Sequence, residues 1–249
     1  MNYTITAMSH GYMNADSSVL MLRTKIGVPN KNTMNIFLVQ GGGENILIDT
    51  GSLPNEINPP ERAEYTSLEG YRPVKEVIEE QGIKCSDITR IIYTHLHYDH
   101  CWNLELFPKD IPIYIQGREM EYAMNPIPWD ERIYSFLPGS DVPPWLFALG
   151  RIVRVDGDKE ILPGIKLLLT PGHSKGSQSV LIDTKEGKYL CTGDFLPRIE
   201  SYEKQIPNGI INNLYEWTES YNKVHDLVDG SDKILPCHEH LVLNRKVYG

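Results

Sequence analysis

The stretch YTHLHYDHC, residues 93–101, places three of the chain's eight histidines and an aspartate within six residues, at His95, His97, Asp99 and His100. In an extended segment His95 and His97 face the same way, Asp99 continues their row, and His100 turns across it. Such a segment can supply two adjacent metal sites. A packing role explains it poorly, because neutral imidazoles buried side by side each need a hydrogen-bond partner and charged ones repel. Three further candidates stand in similar surroundings: His173 in LLLTPGHSKGS, Asp194 in KYLCTGD and His238 in KILPCHEH. Taken singly, each reads as a structural histidine or a turn aspartate. Each also follows an apolar run and falls in a turn with Gly or Pro, where ligands collect when a rigid sheet holds a site at its edge.

The elements that must position these turns are legible as short runs rich in β-branched residues. Strands are expected at residues 35–39, 46–49, 90–94 and 111–115, and again at 165–170, 179–183, 188–192 and 233–236. A helix should begin at Pro73, bury Val74, Val77 and Ile78, and close at Gly82. A second should be capped by Asn213, with Glu216 three residues on and Leu214, Trp217, Tyr221 and Val224 as a packing stripe. Strands mixed with amphipathic helices in two similar halves suggest an α+β sandwich, two sheets face to face with helices outside. One domain over residues 1–249 is expected. Residues 125–150 break the pattern, with five prolines and with Trp129, Phe136, Trp145 and Phe147 at no clean period. They read as a surface loop pinned by its aromatics or as a wall over a binding site.

With HLHYDH at 95–100, His173, Asp194, His238 and LIDTG at 47–51, the chain resembles the metallo-β-lactamase fold superfamily of hydrolases over most of its length. The resemblance implies an αββα fold with two mixed sheets. It also implies one metal on His95, His97 and His173, a second on Asp99, His100 and His238, and Asp194 bridging them. Five imidazoles and two carboxylates suit zinc best, although manganese, iron and cobalt accept such ligands. Two divalent ions about 3.5–4 Å apart can share a hydroxide and polarise a carbonyl oxygen, which is hydrolase chemistry. Asp49 reads either as the partner that orients a ligand imidazole or as a turn cap. Cys101 and Cys237 read as small buried residues, and Cys237 should point away from the metals if His238 points toward them. His10, His225 and His240 lack ligand context, although His240 is near enough to His238 to support it.

Within that superfamily, HLHYDHCWNLELFP, TPGHSKGSQSVLI, the length and an early segment that could border the site resemble the quorum-quenching N-acyl homoserine lactone lactonases. The resemblance implies ring opening of a lactone by the bridging hydroxide, with Asp99 as the catalytic residue that relays a proton. Those enzymes commonly carry a tyrosine three residues after the bridging aspartate. Here Pro197 stands there, and neither Tyr202 nor Tyr215 matches the position. The alternatives are a hydrolase of a linear ester or thioester and, from another class, a mononuclear iron oxygenase, which would leave His100 and His238 without a purpose. The 11 residues after His238 leave no room for the helical glutathione-binding segment of glyoxalase II.

Composition narrows the partners. Lys and Arg total 24 against 33 Asp and Glu, a formal charge of −9, and no basic run could track a phosphate backbone. The expected partner is a small-molecule substrate, without nucleic acid or membrane, and a homodimer is compatible with this reading. The four cysteines form no CxxC pair, no signal-peptide pattern opens the chain, and no run of eighteen apolar residues occurs, so a cytoplasmic location is expected.

Overall fold

The computed structural model describes residues 2–54, 67–135 and 142–249. In chain order the strands of the first sheet are β1 (Thr4–Asp16), β2 (Pro29–Gly41), β3 (Glu44–Ile48), β4 (Ser67–Glu69), β5 (Arg90–Ile92), β6 (Ile113–Gln116) and β7 (Ile152–Val155). A second sheet follows, from β8 (Lys159–Leu162), β9 (Ile165–Leu169), β10 (Gln178–Thr184), β11 (Gly187–Gly193) and β12 (Ile234–Pro236), before β13 (Val247–Tyr248) returns to the first. The first sheet runs β13-β1-β2-β3-β5-β6-β7 with β4 beside β1, and the second runs β12-β11-β10-β9-β8. Both are mixed: β3, β5, β6 and β7 pair in parallel, as do β11 and β12, while the other pairings are antiparallel.

Alternation of side chains along the strands explains the layering. Ile46 and Ile48 of β3 join Val180 and Ile182 of β10 and Tyr189 and Cys191 of β11 in the core between the sheets. The residues between them face outward. Leu47 packs with Val74, Val77 and Ile78 of α2 (Val74–Glu79), which comes after a short α1 (Ser17–Leu20). Leu181 and Leu190 pack with Trp217, Tyr221 and Val224 of the helix Leu214–His225. Sheets covered on both faces need apolar residues at nearly every position, which is why these strands read as runs rather than as alternation. The expected αββα order is the observed one.

The eight expected strands are present with shifted ends, but β1, β4, β7, β8 and β13 were not foreseen. The early segment expected before the first strand is itself β1. Its pairing with β2 slips between Ser9 and Tyr12, and that irregularity, together with Gly11, obscures its period. Both expected helices form: Gly82 follows α2 with its N–H on Glu79, and Asn213 caps the helix Leu214–His225 through bonds from the N–H groups of Tyr215 and Glu216. Leu214 departs from its stripe and is 50 % exposed, because it sits in the first turn beyond the reach of the sheet. In the excursion, Trp145 is fully buried in the core behind α2, Phe147 is 83 % exposed, and Phe136 lies outside the described residues. No helix among the described residues is long and apolar enough to cross a membrane.

Candidate metal centre

All seven sequence candidates converge at one edge of the sandwich. The segment after β5 carries His95 to His100, the turn after β9 carries His173, and Asp194 and His238 follow β11 and β12 within two residues. Gly193 has φ +54°, and a side chain there would lie 2.7 Å from Thr94, so only glycine lets these two ligand segments touch. The segment 93–100 is not extended to its end. After β5 it enters a turn closed by the His100 N–H on the His97 carbonyl at 3.0 Å. That turn swings Asp99 out of the His95–His97 row and over to the side of His100, which corrects the expectation of a continuous row.

Two groups result. His95 Nε2 and His97 Nδ1 lie 3.2 and 3.0 Å from His173 Nε2, which is 3.5 Å from Asp194 Oδ2. On the other side, His100 Nε2 and His238 Nε2 lie 3.5 and 3.1 Å from Asp194 Oδ1, and 3.6 and 3.7 Å from Asp99 Oδ2. Asp194 thus offers one oxygen to each group. A tetrahedral ion with ligands at about 2.0–2.1 Å holds them about 3.3 Å apart, so both groups have the spacing of a metal site.

The opposite ring nitrogens fix what these atoms present. His173 Nδ1 donates to the Ile210 carbonyl at 2.7 Å, and His238 Nδ1 to the Thr33 carbonyl at 2.9 Å. His100 Nδ1 donates to Asp49 Oδ2 at 2.8 Å, and Thr94 Oγ1, which donates to the same carboxylate, lies 3.0 Å from His95 Nδ1. A neutral ring that donates from Nδ1 carries a bare lone pair on Nε2. Among the described residues, His100 Nε2 and His238 Nε2 are buried beside the carboxylates of Asp99 and Asp194 without a well-aligned hydrogen bond. Buried lone pairs converging with two carboxylates are what a divalent cation requires, so the residues fit the two metals that the sequence pattern implies.

Electrostatics separates the halves. Burial, followed by the neighbouring imidazoles, holds His95 well below the usual histidine pKa, and burial leads the downward shifts of His97 and His173 also. Burial opposes charge on His100 and His238 too. There the carboxylates outweigh it: Asp99, Asp194 and Asp49 hold His100 well above the usual value, and Asp194 and Asp99 raise His238. Asp194 is itself held well below the carboxylate range, its burial outweighed by His238 and His100.

Several neighbouring expectations need correction. Cys237 does not point away: its Sγ lies 2.7 Å from Asp194 Oδ1, because the chain leaves β12 in a turn where strand alternation no longer applies. Cys101 bonds the Leu96 carbonyl instead. His240 is exposed and pairs with Glu239, while the Thr33 carbonyl supports His238. Asp49, bonded to the Thr94 N–H, Thr94 Oγ1 and His100 Nδ1, orients an imidazole. Tyr215 is 87 % exposed and Tyr202 packs against Tyr221 and His225, so neither borders the centre.

A cavity of about 430 Å³ opens over the centre. His97, Asp99, His173 and Asp194 form its polar floor, and Met13, Val19, Leu20, Ile127, Ile133, Ile210 and Ile211 form its apolar walls. Trp129, 67 % exposed, stands at the wall with Arg132 over its ring at 3.9 Å. Tyr98, Tyr122 and Tyr134 also border it, a contribution not foreseen from the sequence.

The chain belongs to the metallo-beta-lactamase superfamily, whose family model matches residues 32–238. It is similar to the N-acyl homoserine lactonase of Bacillus cereus, with 33 % identity over 171 residues, 65 % of this chain and 63 % of that protein. The match thus spans just under two thirds of that relative's length. A solved N-acyl homoserine lactone hydrolase, with N-hexanoyl-L-homoserine at its catalytic metal centre, has TM-score 0.79 and 23 % identity over 98 % of this chain and 97 % of that one. AidC, a dizinc quorum-quenching lactonase, has TM-score 0.69 and 16 % identity over 96 % and 88 % of the two chains. At these identities the structural likeness is one of fold.

Proposed function

We propose that this chain is a dinuclear metal-dependent hydrolase that opens lactones of the N-acyl homoserine lactone type, with zinc as the best-suited metal. The observation that carries this reading is Asp194, whose two oxygens face two separate ligand groups beneath an apolar cavity. His95, His97 and His173 would hold one ion and Asp99, His100 and His238 the other, with Asp194 shared. Such a pair supplies an activated water and a Lewis acid for the ester carbonyl. The chain's own part is to aim and to move protons. Asp99 reaches the second group and borders the cavity, so its carboxylate is placed to take the proton of the attacking water and return it to the leaving alkoxide oxygen. The apolar walls suit an acyl substituent and exclude water from the reacting ester. Residues 1–249 act as one domain in this reading, because Ile46 and Ile48 from the first sheet and Val180 and Ile182 from the second share a core.

Pro197 supports a second reading, a hydrolase of a linear ester or thioester, since it removes the phenol that the lactonases commonly offer to the lactone carbonyl. The test is a screen of purified chain against lactones, linear esters and thioesters, with hydrolysis followed by proton release. Turnover of lactones well above the matched linear esters is expected. Turnover confined to linear substrates would replace the first reading with the second.

A further inference from the structure

Glu119 is 0 % exposed, although it lies on the short helix α3 (Gly117–Ala123) directly after β6. A carboxylate taken out of water is costly unless its oxygens are filled. Here four donors fill them. Oε1 accepts from the Leu96 N–H and the Tyr134 hydroxyl, each at 3.0 Å. Oε2 accepts from Ser174 Oγ at 2.7 Å and the Gly176 N–H at 2.9 Å.

The four donors share a relation to one half of the centre. Leu96 lies between His95 and His97, and Ser174 follows His173 in a turn that Gly176 continues. The Tyr134 ring meets His97 edge-on, with centroids 4.8 Å apart. A methyl group on Gly176 would lie 2.3 Å from the Glu119 backbone nitrogen, so the approach of the His173 turn to α3 requires glycine. None of the donors comes from the segments that carry Asp194 or His238, and Leu96, although its segment runs on to Asp99 and His100, sits between the two imidazoles of the first half.

We propose that Glu119 is a positioning residue for the first metal position, fixing the distance between the His173 turn and the His95–His97 pair. The proposal rests on the dinuclear reading above. It predicts a selective effect. Glutamine in its place keeps the shape but turns one acceptor into a donor, which then faces a backbone N–H that can only donate, Leu96 or Gly176, whichever way the amide is flipped. Loss of such support around a metal site lowers metal affinity about 10–100-fold.

The experiment uses the full chain, stripped of metal and titrated with Co²⁺, with uptake read from visible absorption and checked by elemental analysis. Glu119→Gln is made in a His238→Ala background, which reports the first position, and in a His173→Ala background, which reports the second. Affinity is expected to fall about 10–100-fold in the first background and to stay near its starting value in the second. Equal weakening in both, or none in either, would overturn the proposal. Circular dichroism checks the fold of each variant. If Glu119→Gln does not fold, Tyr134→Phe and Ser174→Ala carry the test, each expected to weaken only the first position and overturning the proposal if neither does. Unmutated chain that takes up a single Co²⁺ would remove the dinuclear reading itself, a result separable from any property of Glu119.

Discussion

Around the three imidazoles of the first group, Leu96 and the His173 turn bond the buried Glu119, whereas in the second group His100 is held by Asp49 and His238 by the Thr33 carbonyl. The first is a cluster of neutral rings whose spacing is set by neutral donors on a distant carboxylate. The second contains its own charge, and its histidines are drawn toward protonation by Asp99 and Asp194. Two adjacent sites of nearly equal spacing can therefore be built by different means, one mainly by geometry and one mainly by electrostatics. Asp194 is the only carboxylate that faces both among the described residues.

That shared role gives the largest expected effect. Asp194→Asn should lower metal content to well under one equivalent per chain, measured by elemental analysis after gel filtration. Two equivalents retained at undiminished affinity would mean that the groups are built independently. Asp99→Asn comes next: turnover should fall about a hundredfold or more while most of the second metal stays, because the amide keeps the shape and loses the base. Unchanged turnover would remove Asp99 from proton transfer.

Asp49→Asn should mirror Glu119→Gln on the opposite side, weakening the second position about tenfold or more. Titration in His173→Ala and His238→Ala backgrounds reads the second and first positions in turn, and weakening of the first position alone would reverse the division drawn above. The smallest effect is expected at the cavity wall. Trp129→Ala should reduce the gain from lengthening an acyl chain, which is up to about 0.8 kcal/mol for each methylene buried, while Phe147→Ala should leave it alone. Inhibition constants for a chain-length series provide the measurement, and identical series for both variants would take Trp129 out of the wall.

The seven ligand candidates were legible because metal chemistry restricts residue type and the turns after strands carry Gly and Pro as markers. Their division into groups was less so, since it depends on one turn at residues 97–100 that sends Asp99 to the side of His100. The supports were mostly invisible. Thr33 and Ile210 act through carbonyls, which every residue possesses, and Glu119 sits in REMEY, a sequence that reads as an ordinary helix surface. The sandwich could be inferred from buried runs such as ILID and SVLID. Strand β1, which with β2 is the longest, could not, because TITAMSHGYMNAD mixes polar residues, a register slip and a glycine. In the excursion the sequence identified large aromatics but not their directions: Trp145 goes into the core, Phe147 into solvent and Trp129 to the cavity.

Strand β1 pairs with β2 along one edge, while its other edge meets β4 at one end and β13 at the other, with Ile5 opposite Tyr248. As the chain emerges from the ribosome, β2 follows β1 closely and can join it at once. On the other edge β4 reaches Tyr12 to Asn14, but the partner of Ile5 and Thr6 is β13, which comes only after the whole second sheet in the chain. An unpaired edge is a template for strands of other chains, and contacts between distant residues form late. Until β13 has been made, the nascent protein therefore carries an open seam at Ile5 and Thr6.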